Sequence, residues 1–274
     1  MEVVKSSGAR APFDEDKVFK SLIRAGATGD VAFDVVKQVK AKLRDGMSTK
    51  EIYAIAYEAL GKKDVCLACR YDVRQGLVRL GPAGFAFERY VAALFRAQGY
   101  RATHPDDLQG ACVAHEVDVL LERDGRRIAV EVKFRNSYGD IVQLKDTLAA
   151  FARYCDLVDG SVAGTCDPID EMWVVTNGRM TSTAFTYATC KKMRVISWDQ
   201  PHKASLPSLI SDSGLYPITV IPGLTEAELQ ALLRFDVVTC RQLGDFEAAD
   251  LAQRVDILPE RAAKLIQLAE EIAQ

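Results

Sequence analysis

The chain has 274 residues, 49% of them hydrophobic and 27% charged, with a formal net charge of −3. That length predicts two or three domains rather than one compact unit, and the small net charge excludes a polycation that coats nucleic acid by charge alone. No apolar run reaches membrane-spanning length, Met1-Glu2-Val3-Val4-Lys5 is not a signal peptide, and seven cysteines in so long a chain do not make a disulfide framework. A cytoplasmic protein with reduced thiols and no membrane partner is the expectation. The charge is uneven: residues 1–81 carry 15 basic and 11 acidic side chains, whereas 221–274 carry 5 and 10.

Val3-Val4-Lys5 reads as a short strand and Ser6-Ser7-Gly8 as a turn. Asp14 is placed to cap a helix carrying Val18, Phe19, Leu22 and Ile23 at helical spacing. A second helix holds Phe33, Val36, Val39 and Leu43 and stops at Asp45-Gly46. Ser48 or Thr49 caps a third through Ile52, Ile55 and Leu60, and a fourth is expected from Asp64 to Leu80. Cys66-x-x-Cys69 has no second pair near it, so helix packing explains it better than a metal or redox site.

The order Val4-Lys5-x-x-Gly8, Pro12-Phe13-Asp14-x-x-Lys17, Asp45-Gly46-x-x-Thr49-x-x-Ile52 and Ala68-x-Arg70-Tyr71 resembles the ATP-cone, a regulatory nucleotide-binding module of ribonucleotide reductases and their repressor. The resemblance implies ATP or dATP as a regulatory ligand, with Lys5, Lys17 and Thr49 as contacts and Arg79 near a later basic contact. Where the family usually has Lys-Arg-Asp-Gly this chain has Lys5-Ser6-Ser7-Gly8, which removes a bidentate phosphate contact. No Walker-type glycine loop occurs, so ATP hydrolysis is not implied.

Gly81-Pro82-Ala83-Gly84 marks a boundary. Phe85 to Gln98 then reads as a helix with a core stripe of Phe87, Val91, Leu94 and Phe95, ended by Gly99, and Glu88 lies beside that stripe. A polar loop from Thr103 to Gly110 leads into two strands, Glu116–Leu121 and Arg127–Lys133, joined by Arg123-Asp124-Gly125-Arg126, a strong hairpin signal. If Asp124 and Gly125 form the tight turn, residues whose numbers sum to 249 face each other. Asp118 then opposes Glu131 and Glu116 opposes Lys133, all on one sheet face. Two carboxylates about 4 Å apart repel by roughly 4 kcal/mol at an effective dielectric near 20, a cost that a divalent cation between them removes.

Phe87-Glu88-x6-Phe95-x3-Gly99-Tyr100, Glu116-Val117-Asp118, Glu131-Val132-Lys133 and the later stretch Val174 to Thr181 followed by Ile196-Ser197-Trp198-Asp199 resemble the Mrr-like branch of the PD-(D/E)xK restriction endonucleases. The resemblance implies a mixed sheet flanked by helices and Mg²⁺- or Mn²⁺-dependent cleavage of DNA. It makes Asp118 and Glu131 metal ligands, Glu88 a helix-borne acid reaching the metal, and Lys133 the catalytic lysine. The charge of Lys133 is equally well balanced by Glu116 across the hairpin. His115 and Gln143 are weaker candidates, His115 on the opposite face. Arg135, Asn136 and Tyr138 are placed to touch DNA phosphate or to line a solvated loop.

Ile141 to Tyr154 reads as a helix and Asp159 to Asp170 as a loop. Glu171 to Thr176 and Arg194 to Trp198 are strands flanking a helix capped by Thr181, and a short helix lies near Leu206 to Asp212. The tail has helical spacing throughout. Its Ile221-Pro222-Gly223-Leu224 and Asp256-Ile257-Leu258-Pro259-Glu260 resemble the two hairpins of a helix-hairpin-helix domain, with fewer glycines and an acidic balance, which favours weak DNA contact or protein docking as much as DNA gripping. The expected architecture is thus multidomain α+β. It comprises a small helical ATP-cone with a β-hairpin at 1–80, an α/β restriction-endonuclease-like core at 81–216 and an all-α domain at 217–274. The expected partners are DNA, a nucleotide and a second copy of the chain in a dimer.

Overall fold

The structure, a computed structural model, describes residues 1–5, 8–81, 85–137 and 139–274. The expected turn at Ser6-Ser7, the Pro82-Ala83-Gly84 boundary and Tyr138 fall outside them. The chain divides into two compact units, one of residues 1–76 with 214–274 and the other of 77–213. Among the described residues no helix is long and apolar enough to cross a membrane. All seven cysteines are free thiols.

The first unit begins with strands β1 (Glu2–Val4) and β2 (Arg10–Pro12), an antiparallel pair, then helices α1 (Glu15–Arg24) and α2 (Gly29–Lys42). Asp14 caps α1 through the Lys17 amide at 3.2 Å. A third strand, β3 (Met47–Ser48), pairs parallel with β1, so the expected hairpin is a three-stranded sheet. Ser48 is the cap of α3 (Thr49–Gly61), completed as a capping box by Glu51. Leu22, Val36, Val39, Ile52 and Leu60 bury into one core. Ile23 and Phe33 do not: they are 41% and 69% exposed, because the inward stripes of α1 and α2 are narrower than their apolar content. The expected fourth helix is two, α4 (Val65–Tyr71) and α5 (Val73–Arg79), interrupted at buried Asp72, whose carboxylate accepts the Tyr53 hydroxyl.

The second unit is built on helix α6 (Phe85–Ala97) and the strands β4 (Arg101–Thr103), β5 (Leu108–Gln109), β6 (Ala114–His115), β7 (Val119–Arg123) and β8 (Arg126–Lys133). After β9 (Ile141–Val142) come α7 (Leu144–Ala163), β10 (Glu171–Thr176), β11 (Arg179–Met180), α8 (Ser182–Cys190), β12 (Arg194–Ile196) and α9 (Leu206–Ser213). Five strands form a mixed sheet in the order β12-β10-β8-β7-β4, parallel from β8 outward to β12 and antiparallel from β8 to β4. Phe87, Val91, Leu94 and Phe95 of α6 are buried, with Phe95 against Tyr100 and Trp173. On the face carrying Leu120 and Ala129, Ala150 and Leu157 of α7 complete a second core. The expected helix at Ile141 starts three residues later, because Ile141 and Val142 pair with β11, and it runs on to Gly164 in the left-handed region, absorbing part of the expected loop.

The tail of the first unit has a short 3₁₀ turn, Ile218–Val220, and helices α10 (Glu226–Arg234), α11 (Cys240–Gly244), α12 (Ala248–Val255) and α13 (Pro259–Ala273). Thr225 and Thr239 each close a capping box, which fixes where α10 and α11 begin. The architecture is multidomain α+β.

Candidate active site

Asp124 and Gly125 both have positive φ, 53° and 75°, as a type I′ turn requires, and the turn sets the register. Val119 faces Val130 and Leu120 faces Ala129, the pairing in which residue numbers sum to 249. Glu116 and Asp118, however, precede β7, which starts at Val119. The Asp118 carbonyl is held by His104 Nδ1 at 2.8 Å, and its carboxylate accepts the Val132 amide at 2.6 Å. Asp118 therefore reaches across the end of the hairpin to the backbone beside Glu131. Burial, then the Glu131 charge, pushes its carboxyl up to about 6.

Glu131 is buried, with its side chain 5% exposed. One carboxylate oxygen contacts the Lys133 ammonium and the other the Arg153 guanidinium. The expected Glu116–Lys133 pair across the hairpin does not form: Lys133 turns to Glu131 on its own strand, since Glu116 lies outside β7 and is exposed. Glu88, half-buried on α6, is raised to about 7 by burial first and then by the charges of Asp118, Glu116 and Glu131. The structure thus brings Glu88, Asp118, Glu131 and Lys133 into one electrostatic cluster.

Two side chains of Thr176-Asn177 hold the strand that carries Lys133. Thr176 donates its hydroxyl to the Lys133 carbonyl at 2.6 Å, and buried Asn177 accepts from the Arg135 amide and donates to the Arg135 carbonyl. Arg135 is tied to Asp146 at 3.0 Å, Asn136 is exposed, and Gln143 is an exposed residue at the start of α7 whose amide donates to Asp146. His115 bonds Asp156 of α7 at 2.8 Å.

Arg153 was not singled out from the sequence, although a signal is there. It sits in the inward stripe Ala150–Arg153–Leu157, where an apolar residue is the rule, and it faces the strand side that carries the acid.

Among the described residues, no three histidine, cysteine or carboxylate side chains stand close enough together to hold a metal ion as they are. The chemistry of the donors still suits a hard divalent cation: they are carboxylate oxygens, partly buried and mutually repelling. Both Glu131 oxygens are occupied by other cations. Cys66 and Cys69 lie on α4, with Cys69 buried, as packing requires.

In the first unit, Lys5 follows β1 and Thr49 follows β3, and the pairing of Val4 with Ser48 makes them neighbours at the same strand ends. Lys17, in the first turn of α1, pairs with Asp14 at 3.0 Å and is largely exposed. Arg79 ends α5 and belongs to the second unit.

Residues 1–71 match the ATP cone domain family, 82–204 the restriction endonuclease family of the Mrr catalytic type, and 216–273 the AF1548-like C-terminal family. A protein of Archaeoglobus fulgidus, itself named only as uncharacterized, is 32% identical over 153 residues, 56% of this chain and 83% of its own length. The crystal structure of a protein of unknown function, AF1548, is 28% identical, covering 69% of this chain and 97% of that one with a TM-score of 0.59. The restriction endonuclease MspJI, solved with a 27-mer oligonucleotide, is 15% identical over 72% of this chain and 39% of its own, with a TM-score of 0.35, too slight a likeness to argue from. The chain belongs to the same family as the Archaeoglobus fulgidus relative, and along it an ATP cone, a restriction endonuclease domain and an AF1548-like C-terminal domain follow one another.

Proposed function

We propose that the chain is a divalent-metal-dependent endonuclease that hydrolyses DNA phosphodiester bonds and is regulated by ATP or dATP on its cone. The carrying observation is that Asp118 accepts the Val132 amide beside Glu131, which contacts Lys133, at one end of the β7–β8 hairpin, with Glu88 close enough for its carboxyl to be raised by their charges. Asp118, Glu131 and Glu88 would hold Mg²⁺ or Mn²⁺, which supplies neutralisation of charge on the scissile phosphate and a lowered pKa for the attacking water. Lys133 presents its ammonium to the same place, where it orients the water or stabilises the negative charge that grows on the phosphate in the transition state. Asp118, fixed at its carbonyl by His104 and at its carboxylate by Val132, is preorganised for this role. On the cone, Lys5, Lys17 and Thr49 line the phosphate contacts and lysine serves as a point charge. The tail contacts DNA weakly or docks protein, and a dimer is the assembly in which nucleotide acts.

The test is cleavage of plasmid, methylated plasmid and branched DNA with Mg²⁺ or Mn²⁺, with and without ATP and dATP. Asp118→Ala is expected to abolish nicking while a gel shift still shows DNA binding. Cleavage that survives this change rules the site out. The engagement of both Glu131 oxygens favours a second reading, a DNA-binding or signalling platform without cleavage and with the cone as nucleotide sensor. DNA binding with no cleavage under either cation selects it.

A further inference from the structure

We propose that Arg153 is a built-in counter-cation of the acidic site, which sets how tightly a divalent cation binds there. The inference rests on the metal-site reading above and adds to it a residue that neither the hairpin nor α6 supplies.

Two cationic side chains touch the buried Glu131 carboxylate, Lys133 and Arg153. The two cationic partners divide Glu131 between them, Lys133 on one oxygen and Arg153 on the other. A cation that takes Glu131 as a ligand has to replace one of these contacts. Lys133 is fixed to the site by its own strand, two residues away. Arg153 comes from a different element, α7, so it can withdraw without moving the strand that carries Glu131; exposure does not separate the two, at 27% for Arg153 and 30% for Lys133. Arg153 is therefore the partner that yields, and the work of displacing it is subtracted from metal affinity.

Glu131 explains why a cation from the protein is needed at all. A carboxylate with a 5% exposed side chain is stable in its ionised form only when paired and hydrogen-bonded. Arg153 meets that need in the metal-free protein. This makes it a positioning residue, acting on the metal through Glu131, and separates it from Lys133, to which the proposed function gives the reacting phosphate.

The test uses the full-length chain without DNA or nucleotide, titrated with Mn²⁺ by calorimetry, for wild type, Arg153→Met, Arg153→Lys and Asp118→Asn. Arg153→Met is expected to bind Mn²⁺ on the order of tenfold more tightly, the direction set by removing one positive charge next to the ligand. Its metal-free form is expected to melt lower than wild type and to regain the difference when Mn²⁺ is added. Arg153→Lys keeps the charge and is expected to bind as wild type does. If Arg153→Met does not yield folded protein, Arg153→Gln, which keeps a donor to Glu131 without the charge, is titrated in its place with the same expectation. An arginine with a purely structural role gives unchanged or weaker Mn²⁺ binding when removed, and that result overturns the assignment. Wild-type Mn²⁺ binding that Asp118→Asn leaves intact overturns the metal-site reading itself. Binding sensitive to Asp118→Asn but equal in wild type and Arg153→Met removes only the role of Arg153.

Discussion

Asp156 on α7 shows how one carboxylate prepares a site it never enters. It accepts the Cys112 and Val113 amides at 2.9 and 3.3 Å and the His115 ring at 2.8 Å, and so ties the segment leading to Asp118 onto the helix. The Cys112 thiol first, then the His115 ring and the two amides, hold the Asp156 carboxyl at about 2, below its ordinary 3.8. A depressed carboxylate stabilises the fold above its unfolded pKa and loses that contribution as pH falls through its folded value. Asp156→Asn is therefore expected to lower the urea midpoint at neutral pH, and its gap from wild type is expected to close between pH 4 and 2. A gap that is constant with pH would show that the Asp156 charge is irrelevant. At this scale the hairpin partners were legible in the sequence, because Asp124-Gly125 demands one turn type and that turn fixes one register. Glu116 was misread, since alternation alone does not tell where a strand begins. The Lys133–Glu131 contact was missed because a long side chain folds along its own strand as readily as across it.

Among the elements, α6 and the β7–β8 pair were readable: their apolar stripes have the helical and strand periods, and Gly99 and Gly125 punctuate them. The start of α7 was not, because Ile141-Val142 is apolar enough for a helix and is claimed instead by β11, a partner some forty residues away. Nor was the close approach of α7 to the segment before Asp118. A Cβ on Gly160 would lie 2.8 Å from the Gly110 carbonyl carbon and 2.9 Å from the Ala111 nitrogen, both backbone atoms that cannot turn aside. Ala in place of Gly inside a helix gains about 1 kcal/mol of propensity. Forcing a methyl against fixed backbone costs about 1–3 kcal/mol. Gly160→Ala is thus expected to destabilise the second unit by up to about 2 kcal/mol in urea denaturation, against the helix-propensity trend. A more stable variant would mean that α7 and the 110–111 backbone can part cheaply. Gly160 is the one helix-interior glycine of α7, and in the sequence it read only as the edge of a loop.

At the scale of the whole chain, residues 1–76 and 214–274 fold as one compact unit although 137 residues separate them. The sequence divides at Gly81 and again near Pro217 and offers no periodicity that links its two ends, so three separate domains were the natural reading. What joins them is hydrogen bonding and close packing. Arg70 of α4 donates to the Glu271 and Ile272 carbonyls at 2.7 and 2.9 Å, capping the C-terminus of α13, where the helix dipole favours a cation. Thr219 donates its hydroxyl to the Gly76 carbonyl at 2.5 Å, and a Cβ on Gly76 would come within 2.5 Å of Val220. Arg70 is also part of the Ala68-x-Arg70-Tyr71 stretch by which the cone resembles its family, so the same short helix belongs to the cone and holds the tail. Losing two charge-assisted bonds at a partly buried helix end costs about 1–3 kcal/mol. Arg70→Ala is expected to lower the stability of this unit by that amount. Hydrogen exchange should show faster amide exchange in α4 and in α13 alike, because the two helices open as one. If α13 exchanges faster while α4 keeps its protection, the tail unfolds independently of the cone, and a signal from bound nucleotide could not reach the tail through this joint.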